Sequence, residues 1–130
     1  MSAVTMAGVV KRFGSTVAVA GLDLDVESGS LLGLIGPNGA GKSTTLSMMA
    51  SLTRATEGTI DVLGHDAARE PREVRRHVGF MPDQMGFYDD MTVEDYLVFF
   101  AGAHDIGRRE RPALIDNILE LVEPVSYTHL

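Results

Sequence analysis

Apolar residues recur along this chain with two different periods, and the switches between them mark its elements. Val4 to Val10 is rich in small apolar residues and predicts a short strand, with Lys11-Arg12-Phe13-Gly14-Ser15 as the turn that ends it. Val17, Val19, Leu22, Leu24 and Val26 predict a second strand, alternating strictly from Leu22 onward, and Glu27-Ser28-Gly29-Ser30 is the next turn. Leu31, Leu32, Leu34 and Ile35 form a compact apolar run, which predicts a strand buried on both faces. A glycine-rich segment follows, and Thr44 to Leu52 reads as a helix. Gly58 to Gly64 predicts a short strand between turns. Pro71 to His77 predicts a short helix with proline in its first turn, and Val78 to Met81 another strand, stopped by Pro82. Thr92-Val93-Glu94-Asp95 places a carboxylate three residues after a hydroxyl, the form of a capping box. It opens a helix whose face carries Val93, Tyr96, Leu97 and Phe100. Leu114, Ile118, Leu121 and Val122 stand at helical offsets and predict one more helix.

Composition narrows the function classes. At 130 residues, with 45% hydrophobic and 22% charged residues, the chain has the length of one domain and the balance of a globular one. Its net charge of -7 argues against a nucleic-acid-binding surface, which needs clustered Lys and Arg, though not against a local basic pocket. The charge is uneven: 4 basic and 5 acidic residues up to His65, then 7 basic and 13 acidic. With zero cysteines there are no disulfides, thiolate nucleophiles or cysteine-held zinc. The longest apolar runs, Leu31 to Ile35 and Tyr96 to Ala101, are far short of the roughly 18 residues a bilayer span needs. The N-terminus lacks the basic and apolar regions of a signal peptide, so the expected location is cytoplasmic unless a partner holds the chain at a membrane.

The strongest chemical signal is Gly36-Pro37-Asn38-Gly39-Ala40-Gly41-Lys42-Ser43, which matches the P-loop pattern G-x-x-x-x-G-K-[ST]. Glycines let the backbone curl so that successive N–H groups face phosphate oxygens. Lys42 adds a flexible point charge for the β- and γ-phosphates, and the Ser43 hydroxyl is a hard donor for Mg²⁺. Thr44 can donate to the α-phosphate, and the helix that starts here adds its positive end.

The stretch Leu34-Ile35-Gly36-Pro37-Asn38-Gly39-Ala40-Gly41-Lys42-Ser43-Thr44-Thr45 resembles the nucleotide-binding domain of ABC transporters. So do Lys11-Arg12-Phe13-Gly14 with Val17-Ala18-Val19, Thr56-Glu57-Gly58-Thr59-Ile60, and Val78-Gly79-Phe80-Met81-Pro82 followed by Met91-Thr92-Val93-Glu94. The likeness covers residues 2 to 123 and is greatest to export-type ATPases. It implies an α/β P-loop NTPase fold, an incomplete ABC-type nucleotide-binding domain with an antiparallel β subdomain at its N-terminus. The expected layout is a partial domain over 1–124, with the P-loop at 36–44, the Q-loop region at 78–84 and the start of the helical subdomain at 92–124. Val125-Ser126-Tyr127-Thr128-His129-Leu130 does not continue that subdomain and resembles translated adapter sequence.

The resemblance also implies roles. Phe13 would stack on adenine; Val17 and Val19 would line the same apolar slot or, equally, face the core. Asn38, Gly39, Ala40, Gly41, Lys42, Ser43 and Thr44 would hold the ATP phosphates, with Mg²⁺ at Ser43. The partners implied are a transmembrane permease subunit, which would press on Met85 to Leu97 with its aromatics Phe87, Tyr88 and Tyr96, and a second nucleotide-binding domain packed head to tail. The implied location is the inner face of the cell membrane.

Two departures from the family pattern matter. Where the family places a Gln that meets Mg²⁺ and the attacking water, this chain has Asp83, with Gln84 next to it, and either could take the role. A carboxylate about 5 Å from a γ-phosphate costs on the order of 3 kcal/mol at an effective dielectric of about 20. Asp83 therefore fits the site only as a metal-side residue, with Mg²⁺ offsetting its charge, and is otherwise a solvated turn residue after Pro82. Second, no signature motif, no Asp-Glu strand end carrying the catalytic Glu and no switch His is found. His65, His77, His104 and His129 share no metal-type spacing. The stretch is thus expected to bind nucleotide without hydrolysing it alone. Alternative readings are a soluble ABC-type ATPase of DNA repair or translation, and a non-catalytic nucleotide-binding module. A P-loop GTPase is disfavoured because no Asn-Lys-x-Asp segment reads guanine.

The family's sheet places other strands beside the P-loop strand, so Leu31 to Ile35 is expected to have an unpaired side here. The 130-residue chain should accordingly be marginally stable and bind nucleotide weakly. A cooperative thermal melt well above about 50 °C would contradict this.

Overall fold

The computed structural model describes residues 1–83, 86 and 89–122. Gln84, Met85, Phe87, Tyr88 and residues 123–130, with the readings placed on them above, lie outside the described residues. The chain divides into two compact units, Met1–Gln84 and Met85–Leu130.

In the first unit, β1 (Ser2–Phe13) and β2 (Thr16–Glu27) form a hairpin closed by Gly14 and Ser15. The strand continues through Lys11, Arg12 and Phe13, which the sequence reading gave to the turn. Their side chains are polar or exposed, but the backbone keeps its ladder: Lys11 pairs with Val19 and Phe13 with Thr16. Next come α1 (Lys42–Met49), β3 (Glu57–Val62), β4 (His65–Asp66) and α2 (Pro71–His77). The four strands form one antiparallel sheet in the order β2-β1-β3-β4.

The core lies between this sheet and the helices. Met6, Val9, Ile60 and Val62 from the sheet meet Met48 of α1, Val74 of α2, and Val19. Met6 and Val9 stand three apart, which in a regular strand would put them on opposite faces. A register shift between them brings both inward, and Gly8 within it has φ +57°. Gly58 of β3 faces this bulge: a Cβ there would lie 2.5 Å from the Gly8 carbonyl oxygen, so only glycine fits.

Two expected strands are absent. Residues 30–37 form no ladder, and Leu31 and Ile35 are almost fully exposed. Val78 to Met81 is likewise irregular, with Met81 exposed. The reason is the same for both: a strand needs a hydrogen-bonding neighbour, and the described residues offer these runs none. The expectation of an unpaired side was too mild, since no side is paired.

In the second unit, α3 (Val93–Ala103) and α4 (Arg111–Val122) carry Ala101 and Ile115 as their buried residues. On α3, Tyr96 and Leu97 are half-buried while Val93 and Phe100 are exposed, so only half of the expected face is covered. Tyr96 and Phe99 both pack against the Phe100 ring. On α4 the buried position is Ile115, whereas Leu121 and Val122 of the expected stripe are exposed. The Arg111 guanidinium donates to the Ile106 carbonyl and ties the start of α4 to the preceding loop.

The expected capping box is present. The Asp95 amide donates to the Thr92 hydroxyl oxygen, and the Asp95 carboxylate accepts from the Thr92 amide and hydroxyl. These Thr92 donors hold the Asp95 carboxyl below its ordinary value. A depressed carboxylate stabilises the helix above the ordinary value, and that support is lost as pH falls through the folded-state value. Protection of the first-turn amides of α3, measured against their intrinsic exchange rates, should therefore fall with acid below about pH 4. Asp95→Asn should flatten that pH dependence, and Thr92→Ala should speed the same amides at neutral pH by removing about 1 kcal/mol of capping.

Candidate functional site

The glycine-rich loop reaches the sheet at one residue. Gly41 sits at the N-cap of α1 with φ +84°, in the left-handed region. A Cβ on it would overlap the Ala18 carbonyl of β2 and lie 3.1 Å from the Val19 side chain. The loop is thus seated on the β2 main chain. Below Gly41, Thr45 is buried, and its amide and hydroxyl both donate to the Gly41 carbonyl. Thr45 was not among the sequence candidates. The only sequence signal for it is its place one turn after Gly41.

The rest of the loop is open. Gly39 also has φ +84°, and the Ala40 amide donates to the Pro37 carbonyl at 3.2 Å, closing a tight turn. Asn38, Gly39, Ala40 and Ser43 are exposed, and Lys42 and Thr44 are half-buried. No side chain caps α1, because its N-cap residue is a glycine. The helix-end amides therefore face outward without a capping side chain, the arrangement that favours an anion. The Lys42 ammonium folds back on the loop, donating to the carbonyls of Gly36 at 2.6 Å and Pro37 at 2.8 Å. It is a cation held on two neutral acceptors.

Lys42 and Ser43 line different clefts. Lys42 borders an open cleft of about 430 Å³ with Val17, Val19, Leu34, Ile35 and Ala40. Ser43 borders one of about 320 Å³ with Leu46, Phe80, Pro82 and Asp83. There the Ser43 hydroxyl faces the Asp83 carboxylate at 3.5 Å. That is long for a hydrogen bond. Two oxygens that share an octahedral Mg²⁺ at about 2.1 Å lie about 3.0 Å apart, so the pair fits a cation after a small rotation. Among the described residues no group of three or more His, Cys, Asp or Glu could hold a metal.

The two apolar candidates separate. Val19 is buried in the core cluster and also lines the cleft. Phe13 is 53% exposed at the hairpin end, which excludes a core role, and it is not among the cleft's lining residues. The Lys11 ammonium lies 4.7 Å from its ring centroid, over one face. A cleft of about 530 Å³ in the second unit, lined by Val98, Arg108, Arg111, Ile115 and Asp116 among others, includes no residue of the glycine-rich loop.

A glycine loop that enters a helix at a lysine, beside a sheet, defines the P-loop NTPase class of α/β proteins. A family model described as ABC transporter matches residues 19–129, and the chain belongs to the ABC transporter family. It is 37% identical over 119 residues to a daunorubicin resistance ATP-binding protein of Streptomyces coeruleorubidus, covering 92% of this chain and 38% of that protein. It is 37% identical over 115 residues to a Nod factor export ATP-binding protein of Burkholderia lata, covering 88% of this chain and 38% of that protein. Among solved structures, the ATP-binding subunit of an ABC transporter superposes with a TM-score of 0.71 at 27% identity, over 84% of this chain and 45% of that one. A dimeric ATP-binding cassette in a post-hydrolysis state, bound to ADP and Pi, shares the fold with a TM-score of 0.80 at 23% identity, over 92% of this chain and 57% of that one. The chain thus spans well under half the length of these curated relatives, at 38%. No helix among the described residues is long and apolar enough to cross a membrane.

Gly41→Ala should lower the stability of the first unit by about 2 kcal/mol, through backbone strain and the clash with Ala18. Denaturant unfolding checks this, and Gly39→Ala, which shares the φ of +84° but whose Cβ meets nothing within 4 Å, isolates the clash by costing less.

Proposed function

We propose that this chain binds Mg-ATP through residues 36–44 as the nucleotide-binding part of an export-type ABC transporter ATPase. The observation that carries the reading is the Lys42 ammonium resting on the Gly36 and Pro37 carbonyls at the open end of α1. Two neutral carbonyls hold a cation less strongly than a polyphosphate does, so the lysine can exchange them for β- and γ-phosphate oxygens. The helix-end amides and those of Gly39 to Ser43 then face the same anion. Thr44 follows in the first turn of the helix and would donate to the α-phosphate.

Magnesium would supply the countercharge, and Ser43 with Asp83 would hold it as oxygen donors. Phe13 has one face covered by Lys11 and an exposed ring, which suits stacking of adenine on the other. Stacking reads no hydrogen-bond pattern, so the preference for ATP over GTP is modest. Water activation belongs to a carboxylate these residues do not include, so this stretch supplies binding and orientation rather than hydrolysis.

Several findings support the transporter context. One relative's printed name concerns drug resistance and another's export, and a dimeric cassette shares the fold. The partners proposed are a transmembrane permease subunit and a second nucleotide-binding domain, head to tail, which would hold the chain at the inner face of the cell membrane. The acidic balance favours this over a nucleic-acid partner.

Lys42→Ala should weaken ATP binding by about ten- to a hundredfold in equilibrium dialysis, the loss of one charge-assisted contact set. Equal ATP binding by that variant would remove Lys42 from the site. Binding of GTP much tighter than ATP would remove the stacking assignment.

A further inference from the structure

The cleft at Ser43 has one charged residue in its lining, Asp83; the other six are Ser43, Leu46, Ser47, Phe80, Met81 and Pro82. The nearest cation in sequence, Lys42, lines the other cleft and is occupied by the Gly36 and Pro37 carbonyls. The Ser43 side of the cradle is therefore locally anionic. A bare polyphosphate arriving there meets a carboxylate 3.5 Å from the hydroxyl that would face it. The cation seat, for its part, is thin. Even with the Ser47 hydroxyl in the same lining, two hydroxyls and one carboxylate are fewer oxygens than a hard cation needs, and no wider acidic cage exists among the described residues.

We propose that Asp83 makes triphosphate binding conditional on a divalent hard cation, because the carboxylate repels the nucleotide alone and the seat is too poor to hold the cation alone. Each ligand supplies what the other lacks: phosphate oxygens complete the cation's shell, and the cation neutralises Asp83 against the phosphates. The coupling is reciprocal, so the cation binds more tightly with nucleotide by the same factor that nucleotide binds more tightly with the cation. A neutral amide at this position would not repel the phosphates and would leave nucleotide binding largely independent of the metal. Asp83 is thus a specificity-determining residue for the liganded form, Mg-ATP against free ATP. The inference rests on the nucleotide reading of the loop.

Equilibrium dialysis of ATP against the 130-residue chain, once with excess Mg²⁺ and once with EDTA, gives the ratio of the two dissociation constants. For Asp83→Asn and Asp83→Gln that ratio should fall by about tenfold, mainly through tighter binding of metal-free ATP. Asp83→Glu should keep the parent's ratio. Asp83 is exposed and follows Pro82 in an irregular segment, so none of these changes disturbs the core. Mn²⁺ titration followed by electron paramagnetic resonance provides a second readout. The parent should take up Mn²⁺ weakly alone and more tightly with ATP, with the same coupling factor, and Asp83→Asn should reduce that factor. An unchanged ratio in Asp83→Asn, with ATP still bound, overturns the role of Asp83 and leaves the nucleotide site standing. Absence of ATP binding by parent and variants, with and without Mg²⁺, overturns the nucleotide reading and this inference with it.

Discussion

The contact between Gly41 and the Ala18 carbonyl of β2 is the joint on which the site depends. It seats the start of α1 on the sheet with no side chain between them. Everything chemical is measured from that point. Lys42 and Ser43 follow directly, one toward each cleft, and Thr45 pins the turn from beneath through the Gly41 carbonyl. A residue with a Cβ would be strained at this backbone angle and would clash with the strand. The loop's glycines therefore have separate tasks. Gly41 makes the close approach, whereas Gly39 allows the curl and meets nothing.

The sheet beneath this joint carries the load that the loop cannot. Residues 30–37 form no ladder, so the cradle is not supported from its N-terminal side by a paired strand. Its support comes from α1, anchored by Met48 in the core, and from β2 through Ala18 and Val19. Val19 therefore acts by packing: it holds the surface on which Gly41 rests. It belongs to the core and lines the cleft as well.

Much of this was legible in the sequence, and the failures share a cause. The hairpin from Val4 to Val26, the strand around Ile60, the helix Pro71–His77 and the box at Thr92 follow from alternation, proline placement and capping chemistry. All of these are local. The dense run Leu31 to Ile35 predicts a buried strand, yet apolar density states only that a segment needs burial, not what it pairs with. Pairing is supplied from elsewhere in a fold, and no described strand supplies it. Val78 to Met81 failed for the same reason. The buried position of α4 is Ile115, next to the Leu114 of the expected stripe, because the neighbouring helix and not the period alone selects the covered side. In the site, the cradle was legible because its glycines, lysine and serine have fixed spacing. Ala18 and Thr45 were not, since one acts through its main chain and the other through a turn it closes.

The remaining tension is electrostatic. A chain of net charge -7 is proposed to hold a polyanion, so long-range attraction cannot supply the binding. Short-range groups must do so: one ammonium now bound to carbonyls, the open end of an eight-residue helix, and a run of main-chain amides. These are fixed dipoles and a single charge, enough for orientation but with little surplus to overcome a nearby carboxylate. A site assembled this way recognises its ligand best when the ligand's charge arrives already compensated. Asp83 lies not at the Lys42 end of the loop but at the Ser43 end, where, on the proposed reading, a cation would sit between its charge and the phosphates. At the Lys42 end the same carboxylate would neutralise the lysine instead and weaken the cradle. On the proposed reading, the geometry thus sorts its charges by side: the ammonium acts on the phosphates directly, and the carboxylate acts on them only through the metal.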